Sequence, residues 1–237
     1  MDGALPILAR RRVRLWDLPL RLFHWSLVAA LLVAFATGKL GATWMDMHAK
    51  AGLAILGLVV FRVVWGFVGP TYARFAHFAP SFPRIRAYFL GRWHGLGHNP
   101  LGAVSVFALL VALAVQSCTG LFSSDNIAFE GPLHAAVPGE VAARLTAVHH
   151  FAINVLLGLV ALHIAALAFY VRVKRQKLIA PMITGWKEAA HGEPTSRTSP
   201  FALIVAVLLA ASAVWCLSHA PAPRRGPTTT VAATPNW

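Results

Sequence analysis

Histidines occur in this chain where an apolar segment ordinarily has none. In the run TAVHHFAINVLLGLVALHIAALAFY, Thr146 to Tyr170, no Asp, Glu, Lys or Arg falls between His150 and Tyr170. Such a run is long enough to cross a bilayer as a helix, and ionisable side chains inside one are functional by default. His149 and His163 are fourteen residues apart, which at about 100° per residue puts them within roughly 40° of one helix face and about 21 Å apart along the axis. His150, thirteen residues before His163, points roughly 140° away. The same spacing of fourteen separates His48 from Arg62 in a second apolar run, and His24 opens a third. Imidazole nitrogen ligates transition metals, and iron in a planar low-spin centre takes two such nitrogens, one on each face of the ring. Paired histidines at two depths would therefore suit two planar iron centres stacked across one membrane.

The elements that position these residues must be membrane spans. Of 237 residues, 57% are hydrophobic and only 12% charged, and the mean hydropathy is +0.63, values foreign to a soluble domain of this length. The formal net charge of +13 resides in segments between apolar runs, where it fixes membrane orientation and does not call for nucleic acid. The expected fold is an all-α integral membrane protein: a four-helix transmembrane bundle holding two haems, with a fifth C-terminal transmembrane helix. Residues 1–21, with five arginines from Arg10 to Arg21 and no cleavage signal after the next run, read as a retained cytoplasmic basic leader. Residues 22–186 read as the haem-holding domain, 187–199 as a linker, 200–218 as the fifth span and 219–237 as a periplasmic tail.

Within that domain the expected spans are Leu22 to Leu40, Met47 to Val68, Leu101 to Phe122 and the run ending at Tyr170. The loop from Gly69 to Pro100 carries Arg74, Arg84, Arg86 and Arg92 without an acid and reads as a cytoplasmic interfacial segment with one short amphipathic helix. The loop from Ser123 to Thr146 has Asp125, Glu130 and Glu140 against Arg144 alone, and reads as outside. Arg172, Lys174, Arg175 and Lys177 stop the fourth span on the inner side. The N-terminus is thus expected in the cytoplasm of a bacterial inner membrane protein.

This orientation sorts the histidines by depth. His24 and His163 lie near the inner side and hold the inner haem; His48 and His149 lie near the outer side and hold the outer one. Gly52 and Gly158 leave room for the flat rings. Arg62 reads as the partner of a haem propionate, with snorkelling to the surface as its alternative. A lone intramembrane histidine could instead donate to a nearby carbonyl, but four paired by depth are harder to account for that way. His77, His94, His98, His134, His191 and His219 sit in loops or at edges and are excluded as axial ligands. Trp16, Trp25, Trp44 and Trp65 read as interfacial anchors. Cys118 and Cys216 read as packing residues, with a disulfide between them left open.

These pieces resemble a known family. WDLPLRLFHW around His24, MHAKAGLAILGLVVFRVVWGFVG around His48 and Arg62, LGHNPLGA at Leu96 to Ala103, TGLF at Thr119 to Phe122, LTAVHHFAINVLLGLVALH around His149 and His163, and MITG at Met182 to Gly185 are similar to the bacterial cytochrome b561 and nickel-iron hydrogenase cytochrome b subunit family. The resemblance spans about Val13 to Trp186. The family pattern His-Glu-x-x-x-Asn stands here as His149-His150-Phe151-Ala152-Ile153-Asn154, so His149 aligns with the ligand, and His150, in place of the acid, stays open as a substitute. The resemblance implies a membrane di-haem b protein passing electrons between a quinone pool and a partner redox protein. That partner would be a periplasmic c-type cytochrome or a dehydrogenase, or a nickel-iron hydrogenase that the chain anchors; a homodimer is open. With both axial positions filled, each iron would transfer electrons and bind no substrate. The Leu-Gly-His-Asn-Pro turn and the basic second loop are candidates for a quinone site, with a purely structural turn as the other reading. A histidine-lined metal transporter is the rival from another class, disfavoured because no carboxylate lies within a span.

Overall fold

The computed structural model describes residues 11–189 and 197–220. The expectations for residues 1–10, for residues 190–196 of the linker and for residues 221–237 of the tail lie outside the described residues. In chain order the helices are α1 (Leu18–Leu40), α2 (Met45–Val68), α3 (Phe75–Phe78), α4 (Phe82–Phe89), α5 (Pro100–Gly120), α6 (Gly139–Arg172), α7 (Ile179–Thr184) and α8 (Pro200–Ser218). Five of them, α1, α2, α5, α6 and α8, are long and apolar enough to cross a membrane. Two short strands, β1 (Arg11–Arg14) and β2 (Trp186–Ala189), pair antiparallel with Arg12 opposite Glu188. The all-α reading omitted this sheet, which joins the basic leader to the segment after α7.

Hydropathy located the spans, and local chemistry moves their ends. α1 starts four residues earlier than expected, at Leu18, with Pro19 in its first turn. α6 starts seven residues before Thr146 because a polar turn extends it, with Arg144 Nη2 3.3 Å from Glu140 Oε1 one turn away. At 34 residues α6 is about 51 Å long, so it outreaches a hydrocarbon core of about 30 Å. Asn99 caps α5 by accepting the Gly102 N–H at 2.6 Å, and Ser199 caps α8 by accepting that of Ala202 at 3.4 Å. The loop between α2 and α5 contains two short helices, α3 and α4, where one was expected.

α2 is the central element: it packs against α1, α5 and α8, and α5 in turn packs against α6. Its Trp65 is 0% exposed and stacks on Phe61, with ring centres 5.7 Å apart. Trp65 and Trp16 are therefore core residues and not interfacial anchors, whereas Trp25 and Trp44 are exposed. Cys118 and Cys216 are free and exposed on the helix surfaces, which sets aside both the packing and the disulfide readings. Among the described residues neither α1 nor α2 is in sustained contact with α6.

The end of the bundle where α1 begins, called here the leader end, is tied together by the MITG segment. Gly185 ends α7 with φ of 87°, and its carbonyl accepts the N–H groups of Leu15 and Trp16 at 2.8 and 3.2 Å. A β-carbon there would meet Trp16 O at 2.8 Å, so both the turn and the close approach require glycine. Arg21 Nη1 donates to Ile183 O, and Trp25 Nε1 donates to Met182 O at 3.3 Å.

Candidate functional site

Away from the leader end, α2 and α6 each present one half-buried histidine to the other. The ring centres of His48 and His149 are 6.1 Å apart, with planes at 90°. A metal–imidazole bond is about 2 Å long, so two rings facing each other across one metal ion have centres about 6 Å apart. Each ring is oriented by a backbone carbonyl on a neighbouring helix: His48 Nδ1 donates to Ala34 O at 2.8 Å, and His149 Nδ1 to Gln116 O at 2.9 Å. A carbonyl only accepts, so the proton is on Nδ1 in both rings and the lone pair is on Nε2, the arrangement of a metal-ligating histidine.

Two glycines make these positions accessible. A β-carbon at Gly38 would lie 2.8 Å from His48 Nδ1, and one at Gly120 would lie 2.9 Å from His149 Cε1. Gly120 belongs to the TGLF segment, whose role sequence spacing did not reveal. At Gly52 and Gly158 a β-carbon would meet nothing within 4 Å. Gln116 Nε2 donates to His149 Nε2 at 3.1 Å, so ligation through that nitrogen requires the Gln116 amide to turn aside. Its Oε1 is buried without a partner. His150 is exposed, its ring centre 6.2 Å from that of His149.

At the leader end, His24 of α1 and His163 of α6 are near enough to interact electrostatically, and His24 Nδ1 is buried with no hydrogen-bond partner. Arg62 is 2% exposed, which sets aside snorkelling. Its guanidinium lies over Phe75, 4.6 Å from the ring centre, and 5.9 Å from that of Phe78. Among the described residues no carboxylate comes within 4.0 Å of it, and its Nη1 is buried without a partner. Asp17, in the N-cap position of α1, leaves its helix uncapped and accepts from Trp65 Nε1 at 3.0 Å. Burial pushes the Asp17 carboxyl above its ordinary value, opposed by the Trp65 hydrogen bond and the charges of Arg14 and Arg62. Spacing alone pointed to neither Asp17 nor Trp65. Their only sequence signal is an acid next to a tryptophan at the start of an apolar run, in Trp16-Asp17.

His98 is the other surprise. Excluded above as a loop histidine, it packs instead between Trp16 and Phe78, with ring centres at 4.6 and 4.5 Å, and its Nδ1 is buried without a partner. The Leu-Gly-His-Asn-Pro segment is a structural turn in the sense that Asn99 caps α5, but it also carries this inward-facing imidazole. Among the described residues no three His, Cys, Asp or Glu side chains converge, so each histidine pair offers the two-ligand set of a planar cofactor and not a tetrahedral metal site. A groove of about 770 Å³ between α1, α2 and α8 is lined by Arg14, Phe23, Phe61, Arg197 and Leu203 among others, and by none of the four histidines.

Five apolar spans make this a multi-pass membrane protein, and its similarity to known proteins places it in the b-type cytochrome class, whose cofactor is haem b. The chain belongs to the prokaryotic cytochrome b561 family, whose model matches residues 15–185. It is 27% identical over 231 residues to the probable Ni/Fe-hydrogenase B-type cytochrome subunit of Azotobacter chroococcum mcd 1, covering 81% of this chain and 95% of that one. It is 26% identical to the protein of that name in Azotobacter vinelandii, with the same coverage, and 23% identical to that of Rhodobacter capsulatus, covering 74% of this chain and 81% of the relative. No solved structure matches it.

Proposed function

We propose that the chain is a di-haem electron carrier of the bacterial inner membrane, linking a quinone pool to a partner redox protein. The leader end faces the cytoplasm in this reading, because the arginine- and lysine-rich segments gather there. His24 and His163 are the axial ligands at the cytoplasmic level, His48 and His149 those at the outer level, and Arg62 is a propionate partner. The reading is carried by the 6.1 Å separation of the His48 and His149 rings, both with Nε2 free of a proton. Haem b, when bound, supplies one-electron transfer at each level. The chain's own residues fix ring orientation through Ala34 O and Gln116 O, and exclude water with the apolar faces of α2 and α6.

The partner could be a periplasmic c-type cytochrome or a dehydrogenase; a hydrogenase is favoured by the names of the relatives. Hydrogen-driven reduction of the haems in membranes, lost when the hydrogenase is removed, would select that partner, whereas reduction by quinol alone would leave the other two. The decisive measurement on the chain itself is a pyridine haemochromogen assay with redox titration. Two haems b per chain are expected. His24→Ala and His163→Ala should each remove the same redox component, and His48→Ala and His149→Ala the other, with His150→Ala sparing both. One haem per chain, or loss of the outer component in His150→Ala but not in His149→Ala, overturns the assignment.

A further inference from the structure

Six buried side-chain atoms have no partner among the described residues, and five of them, on Asp17, Arg21, His24, Arg62 and His98, gather at the leader end. Four of those five are nitrogens: those of Arg21 and Arg62 can only donate, and Nδ1 of His24 and of His98 donates in the tautomer that carries its proton there. His98 and Arg62 share one wall: the Phe78 ring lies 4.5 Å from the His98 ring and 5.9 Å from the Arg62 guanidinium. His98 is near enough to Arg62 and His163 to interact with them electrostatically, which places it on the side of the inner ligand pair. Asp17, the acid whose charge Arg62 senses, already accepts from Trp65 and makes no ion pair within 4.0 Å.

We propose that His98 Nδ1 and Arg62 Nη1 together receive one carboxylate of the haem bound between His24 and His163, with Arg62 supplying the charge and His98 a neutral N–H. This rests on the two-level ligand assignment above and adds His98 to it as a positioning residue. A buried donor without an acceptor is costly, and a carboxylate accepts from two donors at once. The position of His98 is set independently of any ligand, by the Trp16 and Phe78 rings packed against it and the Asn99 cap one residue on. Burial first, then the charge of Arg62, holds the pKa of the imidazole down at about 3, so across about pH 5–8 it is neutral and carries one N–H.

The test uses purified full-length protein carrying haem with 13C-labelled propionates. His98→Leu removes the donor; His98→Asn keeps an N–H near the place of Nδ1. Both should retain two haems by the pyridine assay. In His98→Leu the inner component's midpoint potential should fall and its labelled carboxylate band should shift in the reduced-minus-oxidised infrared spectrum, and His98→Asn should restore both. Equal displacement in the two variants would reduce His98 to packing and overturn the proposal, as would an inner component unchanged in His98→Leu. If the labelled band stays put while a quinone carbonyl band moves, the pair serves a quinone and the proposal also falls. Should His98→Leu not assemble, His98→Asp decides: a carboxylate there should expel the inner haem and spare the outer, and retention of an unchanged inner component overturns the assignment. Failure of the ligand pairing itself shows separately, as a wild-type protein with fewer than two haems.

Discussion

A β-carbon placed at Gly38 would stand 2.8 Å from His48 Nδ1, too close for either group to stay where it is. Gly38→Ala is therefore expected to swing the imidazole off Ala34 O and lower occupancy of the outer haem while the inner one remains, measured as loss of one component in a redox titration. Gly120→Ala should do the same through His149, whose Cε1 a β-carbon would approach to 2.9 Å. Arg62→Ala should keep the haem count but lower the potential of the inner component, because a cation beside a propionate favours the reduced centre. Trp65→Phe conserves the stacking on Phe61 but leaves Asp17 Oδ2 buried without its donor, which costs about 1–3 kcal/mol. Thermal unfolding in detergent should register that loss.

Among elements, the short segments outside the spans determine how the leader end closes. Gly185→Ala forces a side chain into a left-handed turn, at a cost of about 1–2 kcal/mol, and against Trp16 O. It should raise protease sensitivity in the β1–β2 region and leave haem content intact. α4 is fastened to the end of α6 by a hydrogen bond between the Tyr88 and Tyr170 hydroxyls. Burial, then that bond, pushes the Tyr88 phenol up to about 12. A folded-state value raised above the ordinary 10 means that the folded protein holds the proton longer than the unfolded chain does. The contribution to stability is thus complete below about pH 10 and is lost as pH rises towards about 12. Ultraviolet titration of Tyr170→Phe should show Tyr88 ionising at lower pH than in the parent protein.

For the whole molecule, five spans with the leader inside would put the segment after α8 on the outer face. A reporter fused at Ala220 should be active only outside the cytoplasm; activity inside would mean that α8 does not cross. α2 packs on α1, α5 and α8, whereas α6 packs mainly on α5 and reaches the α1–α2 core through Leu156, so the seating of α6 against α1 and α2 is set chiefly through α5. On the proposed two-haem assignment both sites depend on how α6 is seated, and a large side chain in place of Ala152, buried on α6, should weaken the two together.

The five spans and the charge asymmetry of their loops were legible in the residues, because helix length, hydropathy and a rise of about 1.5 Å per residue are properties of one segment at a time. The face argument separates His149 from His150, and in the fold His149 is half-buried while His150 is exposed. Partners across helices were not legible. Whether Nδ1 of His48 finds Ala34 O, whether Trp65 turns inward to Asp17, and whether a loop histidine such as His98 is carried into the core all depend on the approach of residues 14, 48 or 82 and more positions apart. The strands escaped notice for a similar reason, since four residues of basic leader acquire a β conformation only when Trp186–Ala189 is brought alongside. Spans follow from free energies of transfer into the membrane, which each segment meets alone; hydrogen-bond partners and buried donors exist only after the helices have packed.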